Sequence, residues 1–516
     1  MLALILRVPG WFTEDEKRRF ALFEPDEFQY VDMAIYQIQS LDASLLEEWE
    51  VYSNIFNVRG FGIHIGVTAW ILHHATSLEL NPANLILIGR IWATIYSLLV
   101  IVVLWYLTKL FFQDKNTAHL AALLLAIFDL NITYSHYSLP EMAHVFWVHF
   151  AVLLTLKFYL KYHQSAIDWK RLPWWVFCIP VALAGAFASK FDFLVPVIVV
   201  LALLLLWREK RLSLLSVTGL LSVGFILTVL SFGLLTCFNY SLDEVLHSFR
   251  EIYRQNKDVL AQDHHLLLNP PVYFLGLVAG TSLPVVFFAG FGKIRFRSFH
   301  LDQAIKYAWW LWAGLLFLEF MPLWRSDIPF VRRLNVFLPF VALMAAYGLH
   351  HIDQERLSWW RKCTPWVVGY TLLLSLIGQS NFWWDTRYSA RTYLNTHFAE
   401  AKIKYESYAY AKGMPTGVRL NEKGDILVLH EADYSRYWKT FTSPFQYPPT
   451  CCTEVYHCQS EAHCQDYQQL LSGQSLNFKV LKTFNTREYL PERYLFKRLF
   501  GTYETFLGDV RIFETR

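Results

Sequence analysis

Long uncharged apolar runs recur along most of the chain, and every second connection between them is basic. The runs cover roughly residues 84–108, 118–135, 141–160, 173–188, 191–207, 213–238, 271–291, 304–323, 333–350 and 364–381. A bilayer core has no water to satisfy backbone N–H and C=O groups, so runs of this length are expected to cross it as helices. The first apolar run, Met1 to Phe12, is shorter and is broken by Arg7 and Pro9. It is expected to be a partial first span entering from the cytoplasm. Counting it, the chain is expected to be an α-helical polytopic membrane protein of about eleven transmembrane helices. The composition agrees, since 54% of the 516 residues are hydrophobic and 17% are aromatic, too apolar for one soluble globule. The net charge of only +3 gives no reason to expect nucleic acid as a partner.

Charge position sets the expected orientation. Alternate loops carry Lys109 and Lys115; Lys161, Lys170 and Arg171; Arg208, Lys210 and Arg211; Lys293, Arg295 and Arg297; Arg356, Arg361 and Lys362. These loops are expected on the cytoplasmic side. The loop 12–83, the connection 239–270 and everything beyond about 382 are then outside. The first loop holds two helical pieces, Val31 to Leu41 and Phe61 to Leu72, and the 239–270 connection holds an amphipathic helix from Leu242 to Leu260. No secretory signal with a cleavage site is seen.

Beyond Trp383 the charge rises and strand-like pieces such as Asp425 to His430 replace the apolar runs. The expected division is a transmembrane domain, 1–381, with its first outer loop 12–83, and a soluble extracytoplasmic α/β or α+β domain, 382–516. Four of the seven cysteines, Cys451, Cys452, Cys458 and Cys464, fall in this second part. Outside the cytoplasm they are expected to form disulfides, with a zinc site beside His457 and His463 as the alternative. Cys178, Cys237 and Cys363 are expected to be inert.

Ionisable residues at span ends are the best pointers to a site in such a chain. On the expected topology several meet on the outer face. Asp26 and Glu27 open the first-loop helix, and Glu48, Glu50 and Arg59 follow them; His136 and Glu141 flank a tight connection. Lys190 and Asp192 end another span, and Arg325, Asp327, Arg332 and Arg333 precede a late one. Each alone has a simple structural role; Asp192, for instance, has a ready partner in Lys190. Together they suit transfer at an anionic lipid. Cations clamp a phosphate, a carboxylate takes the proton of an incoming hydroxyl, and the same cations stabilise charge on the leaving phosphate. No phosphate-cradling Walker loop, dinucleotide glycine pattern or intramembrane His/Asp metal cluster is present, so a soluble nucleotide donor is not expected.

Pro25-Asp26-Glu27-Phe-Gln-Tyr30 resembles the first-loop acidic motif of the GT-C glycosyltransferases, in the branch of protein O-mannosyltransferases and lipid A aminoarabinose transferases. Glu48-Trp49-Glu50 and Arg59-Gly60 are similar to a later part of that loop in the N-glycan and GPI mannosyltransferases. Gly89-Arg90 resembles the opening of the family's second span, and Tyr134 to Glu141 its second acidic motif, with His136 in the place of an arginine. Ala188-Ser-Lys190 and Arg332-Arg-Leu-Asn-Val-Phe-Leu-Pro339 resemble two further motifs, Arg333 standing where an aromatic is usual. The resemblance covers about residues 20–350.

The resemblance implies Asp26 as catalytic base with Glu27 in support. It also implies Arg332, Arg333, Lys190, His136, Glu141 and Arg59 as residues facing the lipid phosphate or substrate. The expected activity is inverting transfer of a mannose-like or aminoarabinose-like sugar. The donor is a polyprenyl-phosphate sugar and the acceptor a lipid, glycan or protein. No cofactor or metal is required by this reading, although a divalent cation stays open. The compact plan leans towards a bacterial inner membrane, with the active site periplasmic. A secondary transporter and a non-catalytic envelope assembly protein are the competing readings. The first would be expected to show inverted repeats with ionisable groups at the bilayer midplane.

Overall fold

The apolar runs are helices in the computed structural model. It describes residues 1–8, 27–46, 60–164, 172–190, 192, 194–237, 243, 250, 269–298, 302–324, 331–354, 363–399, 403–405, 425–432, 461–475, 477–500 and 507–516. Asp26, Glu48, Glu50, Arg59, Arg325, Asp327, nearly all of the 239–270 connection, Cys451, Cys452, Cys458 and the side chain of Cys464 lie outside these residues. Cys178, Cys237 and Cys363 are free thiols.

The helices are α1 (Leu2–Ile5), α2 (Glu27–Leu41), α3 (Gly60–Thr76), α4 (Pro82–Phe112), α5 (Lys115–Ile127), α6 (Asp129–Ser135), α7 (Glu141–Gln164), α8 (Cys178–Lys190), α9 (Val195–Arg208) and α10 (Leu214–Leu235). They continue with α11 (Asn269–Thr281), α12 (Leu283–Ser298), α13 (Gln303–Trp324), α14 (Leu338–Gln354) and α15 (Cys363–Trp383), with a 3-10 turn at Val331–Phe337 entering α14. Capping marks several starts. Asn81 accepts the N–H of Asn84, and Pro82 follows it in the first turn. Asp114 accepts from the N–H groups of Asn116 and Thr117.

Among the described residues, four helices are long and apolar enough to cross a membrane, or six if each bent pair is one span. Sequence had suggested about eleven spans. The difference is one of length and shape. α8 and α9 have 13 and 14 residues, roughly 20 Å each at the helical rise. The run 118–135 is broken into α5 and α6 at 58°, and 271–291 into α11 and α12 at 110°. The N-terminal run yields only the four-residue α1. Arg7 behind it is fully buried and ties the segment down, donating to Ser97 Oγ (2.9 Å), Ala126 O (3.1 Å) and Asn131 Oδ1 (2.5 Å).

Two ion pairs lie at helix ends. His163 pairs with Glu209 at 2.6 Å, and His350 with Asp114 at 3.7 Å. Both pairs lie beside the basic connections, at helix ends remote from Arg90, Glu141 and Lys190. One tight crossing joins α12 to α14. A Cβ on Gly292 would sit 2.2 Å from Met344 O, and one on Gly348 would sit 2.3 Å from Phe288 O.

Beyond α15 come α16 (Thr386–His397), α17 (Glu461–Leu471) and α18 (Pro491–Phe500) with strands β1 (Ile403–Tyr405), β2 (Ile426–His430), β3 (Phe478–Phe484) and β4 (Val510–Thr515). The sheet order is β1-β2-β4-β3; β1 and β2 are parallel, and the other pairs are antiparallel. The strand read from Asp425 to His430 is the central β2, buried along its whole length. Its alternation feeds two faces: Ile426 and Val428 pack with Ala390 and Leu394, and Leu427 and Leu429 with Leu470 and Leu471.

Gly348→Ala is expected to push α12 and α14 apart. Overpacking of this kind typically costs about 1–3 kcal/mol. Thermal unfolding of the detergent-solubilised protein should show a lowered midpoint, whereas Gly314→Ala, which meets nothing within 4 Å, should not.

Candidate functional site

Glu27 opens α2, and its carboxylate is fully buried. Arg90, about two turns into α4, is equally buried and meets it as a fork, Nε to Oε1 at 2.9 Å and Nη2 to Oε2 at 2.8 Å. Ser138, in the connection between α6 and α7, donates its backbone N–H to the same Oε1 at 2.7 Å. Gly89 makes this approach possible, since a Cβ there would lie 1.8 Å from Ser138 Oγ. Both oxygens of Glu27 are thus occupied, and its geometry is that of a joint between α2, α4 and the 136–140 connection.

Three residues beyond Ser138, Glu141 begins α7. Its Oε1 accepts from Lys190 Nζ at 2.9 Å, and Arg332 Nε lies 3.9 Å away. Its Oε2 is buried with no hydrogen-bond partner. Lys190 comes from the last turn of α8, and Arg332 from the 3-10 turn before α14. Arg333 adds a further positive charge within electrostatic reach of Lys190. The carboxylate side chain is 5% exposed, but those of Lys190 and Arg332 are 30% and 23% exposed. The cations therefore look outward past a carboxylate that cannot.

Asp192 lies close by but does not pair with Lys190. His144, three residues after Glu141 and so on the same face of α7, bonds Asp192 Oδ2 through Nε2 at 2.8 Å. Asp192 Oδ1 accepts from Leu194 N–H at 2.8 Å at the start of α9. Glu319 of α13 lies within electrostatic reach of Asp192.

Among the described residues, Asp192 is also the only charged one lining an apolar cavity of about 1260 Å³ between α7, α8, α9 and α10, whose walls include Phe158, Leu183, Phe187, Leu203 and Leu227. His136 lies at the start of the 136–140 connection, within electrostatic reach of Arg90. Its ring is fully buried and meets Phe382 edge-on at 4.8 Å. Among the described residues no group of three or more His, Cys, Asp or Glu could hold a metal ion.

The structure thus brings together Glu141, Lys190, Arg332 and Arg333 of the residues expected from sequence, and draws Glu27 to Arg90 beside them. Asp26 and Arg59 lie outside the described residues. Sequence reading missed His144 and Glu319. The Glu141-x-x-His144 spacing, and an isolated acid inside the run 304–323, were the available signals.

Residues 71–245 match the family model described as dolichyl-phosphate-mannose-protein mannosyltransferase. No curated protein matches the chain. The fold is similar to that of the Archaeoglobus fulgidus oligosaccharyltransferase in complex with Zn and sulfate, at 14% identity over 100% of this chain and 87% of that one, with a TM-score of 0.51. The apo form of the Archaeoglobus enzyme aligns at 15% identity over 82% of this chain and 61% of that one, with a TM-score of 0.46. ArnT from Cupriavidus metallidurans bound to undecaprenyl phosphate aligns at 12% identity over 84% and 93%, with a TM-score of 0.47. The family match spans residues 71–245 only, and the likeness to the Archaeoglobus enzyme shows a shared fold.

Glu27→Gln is expected to leave the buried Arg90 charge uncompensated. Removing one partner of a buried pair typically costs about 3–5 kcal/mol. The thermal midpoint should fall sharply, and an unchanged midpoint would show that the pair is not the joint described.

Proposed function

We propose that the chain is an inverting glycosyltransferase that moves one sugar from a polyprenyl-phosphate donor to an acceptor hydroxyl. The observation that carries this reading is the placement of Lys190 and Arg332 around one carboxylate, with Arg333 within electrostatic reach of Lys190, beside an apolar cavity that reaches Asp192. A lipid-phosphate sugar needs these two environments next to each other. Its isoprenoid chain takes the apolar cavity, and its phosphate takes guanidinium and ammonium donors.

In this reading Asp26 is the base. It is peptide-bonded to Glu27, which Arg90 and Ser138 hold three residues from Glu141. The acceptor oxygen attacks the anomeric carbon from the face opposite the phosphate. The C–O bond to phosphate breaks, the electron pair leaves with the phosphate, and the acceptor proton passes to Asp26. Lys190, Arg332 and Arg333 stabilise the charge that grows on the leaving group. The leaving phosphate is already activated, so the proposal assigns no step to a metal. The basic connections support a site on the outer face of the membrane, and we assign the C-terminal sheet unit to that side.

Incubation of the purified protein with radiolabelled polyprenyl-phosphate mannose or aminopentose, and with lipid, glycan and peptide acceptors, tests the reading. Label should reach an acceptor with inversion at the anomeric carbon. Asp26→Asn should lower turnover by about 10²–10⁴-fold with donor binding retained. Arg332→Ala should weaken donor binding, and Arg332→Lys should restore it only in part because the fork is lost. Near-normal turnover of Asp26→Asn would remove Asp26 from the role. Unchanged donor affinity in the Lys190→Ala/Arg332→Ala double variant would move the phosphate elsewhere.

A further inference from the structure

An acid stands at the bend between α5 and α6 that the reaction above does not use. Asp129 is the first residue of α6 and is 2% exposed. Its Oδ1 accepts from Gln379 Nε2 of α15 at 2.9 Å, and its Oδ2 accepts from Arg493 Nη1 of α18 at 2.5 Å. α15 can approach this closely because residue 378 is glycine; a Cβ there would lie 2.2 Å from Asp129 Oδ1. Arg493 also donates from Nε to Glu488 Oε2 at 3.0 Å. One guanidinium therefore bridges a carboxylate of the helical bundle and a carboxylate of the C-terminal unit. The contact around it is polar at several points. Tyr370 OH donates to Glu492 at 2.8 Å, and Asn381 Oδ1 accepts the N–H of Arg487 at 2.8 Å.

We infer that Arg493 is a positioning residue, through which the C-terminal unit sets the orientation of α6 and of the segment that carries Ser138 and Glu141. All seven residues of α6 are buried. A helix this short does not hold itself, so its ends decide where it points. Its first turn is held by Arg493 and Gln379 on Asp129 and by Arg7 on Asn131. Its far end runs into His136 and on to Ser138, whose N–H holds Glu27 at 2.7 Å. Loss of Arg493 leaves a buried carboxylate with one fewer counter-charge. The cheapest relaxation is rotation of the α6 terminus towards water, and the residues beyond it turn as well. Glu141, fixed to Lys190, then shifts against the cations it shares. The catalytic consequence rests on the transferase reading, but the structural one does not.

Two measurements on the full-length protein in nanodiscs test this. Hydrogen exchange in peptides covering 129–141 should rise in Arg493→Ala and in Asp129→Asn, while the middle of α4 keeps its protection. In the transfer assay Arg493→Ala should lower kcat by up to about 10²-fold, with donor KM changed less than about twofold, since misplacement without lost donor contacts acts on the chemical step. Arg493→Lys, which keeps the charge without the fork, should recover part of kcat. Wild-type exchange across 129–141 in Arg493→Ala would overturn the inference, as would an unaltered kcat. If that variant loosens all helices alike, Arg493→Lys decides by the same local comparison. If the wild-type protein transfers no sugar, the transferase reading fails, and the exchange result still stands for or against Arg493.

Discussion

The fork between Arg90 and Glu27 is the contact on which the candidate site depends. It joins α2 to α4, the longest helix among the described residues, and Ser138 adds the segment that leads into α7. Two fully buried charges are tolerated only where geometry is good and the remaining lone pairs are filled. Here both nitrogens of the fork align, and a backbone N–H takes a further position on Oε1. Gly89 belongs to the same joint, because no side chain fits between α4 and Ser138.

Polar groups at this end of the bundle are satisfied by segments from far apart in the chain. Arg7 reaches Ser97, Ala126 and Asn131; Gln379 and Arg493 reach Asp129; and Ser375 bonds the carbonyl of Ile127. These bonds surround the bend at Phe128, where α5 stops and α6 begins at 58°. A bend frees backbone groups that a straight helix would pair internally. Side chains from three directions gather where that occurs. The bend and its tethers therefore form one unit, and it lies directly behind the second acidic segment.

Much of this was legible in the sequence, for physical reasons that differ by element. Apolar runs are long because the bilayer is thick, so α4, α7 and α10 were found nearly at their true ends. Strand β2 showed through its β-branched and leucine-rich run before a charged boundary. Lys190, Glu141 and Arg332 stood out as charges at span ends, and they do converge. Pairing was harder to read. Asp192 lies two residues from Lys190, yet the helix ends there, and the two side chains take different partners, His144 and Glu141. Arg90 was visible as a charge opening a span, but its partner lies 63 residues earlier. Arg493 carries no local mark at all, because its role exists only once α18 is folded against the bundle. The bends at 58° and 110° were hidden for a related reason: hydropathy measures length along the chain and is blind to direction.

In the transferase reading, the cations around Glu141 are what an anion meets at this end of the bundle. Lys190 and Arg332 both approach Oε1, and Arg333 stands within electrostatic reach of Lys190. Glu141 holds them in place at little exposure, which lets their outward donors meet a ligand without first being ordered. Asp192 is taken up by His144 and the N–H of Leu194 rather than by Lys190. In the transferase reading, a headgroup whose tail lies in the apolar cavity lined by Asp192 would meet these cations, and a soluble anion without a tail would gain only half of the arrangement.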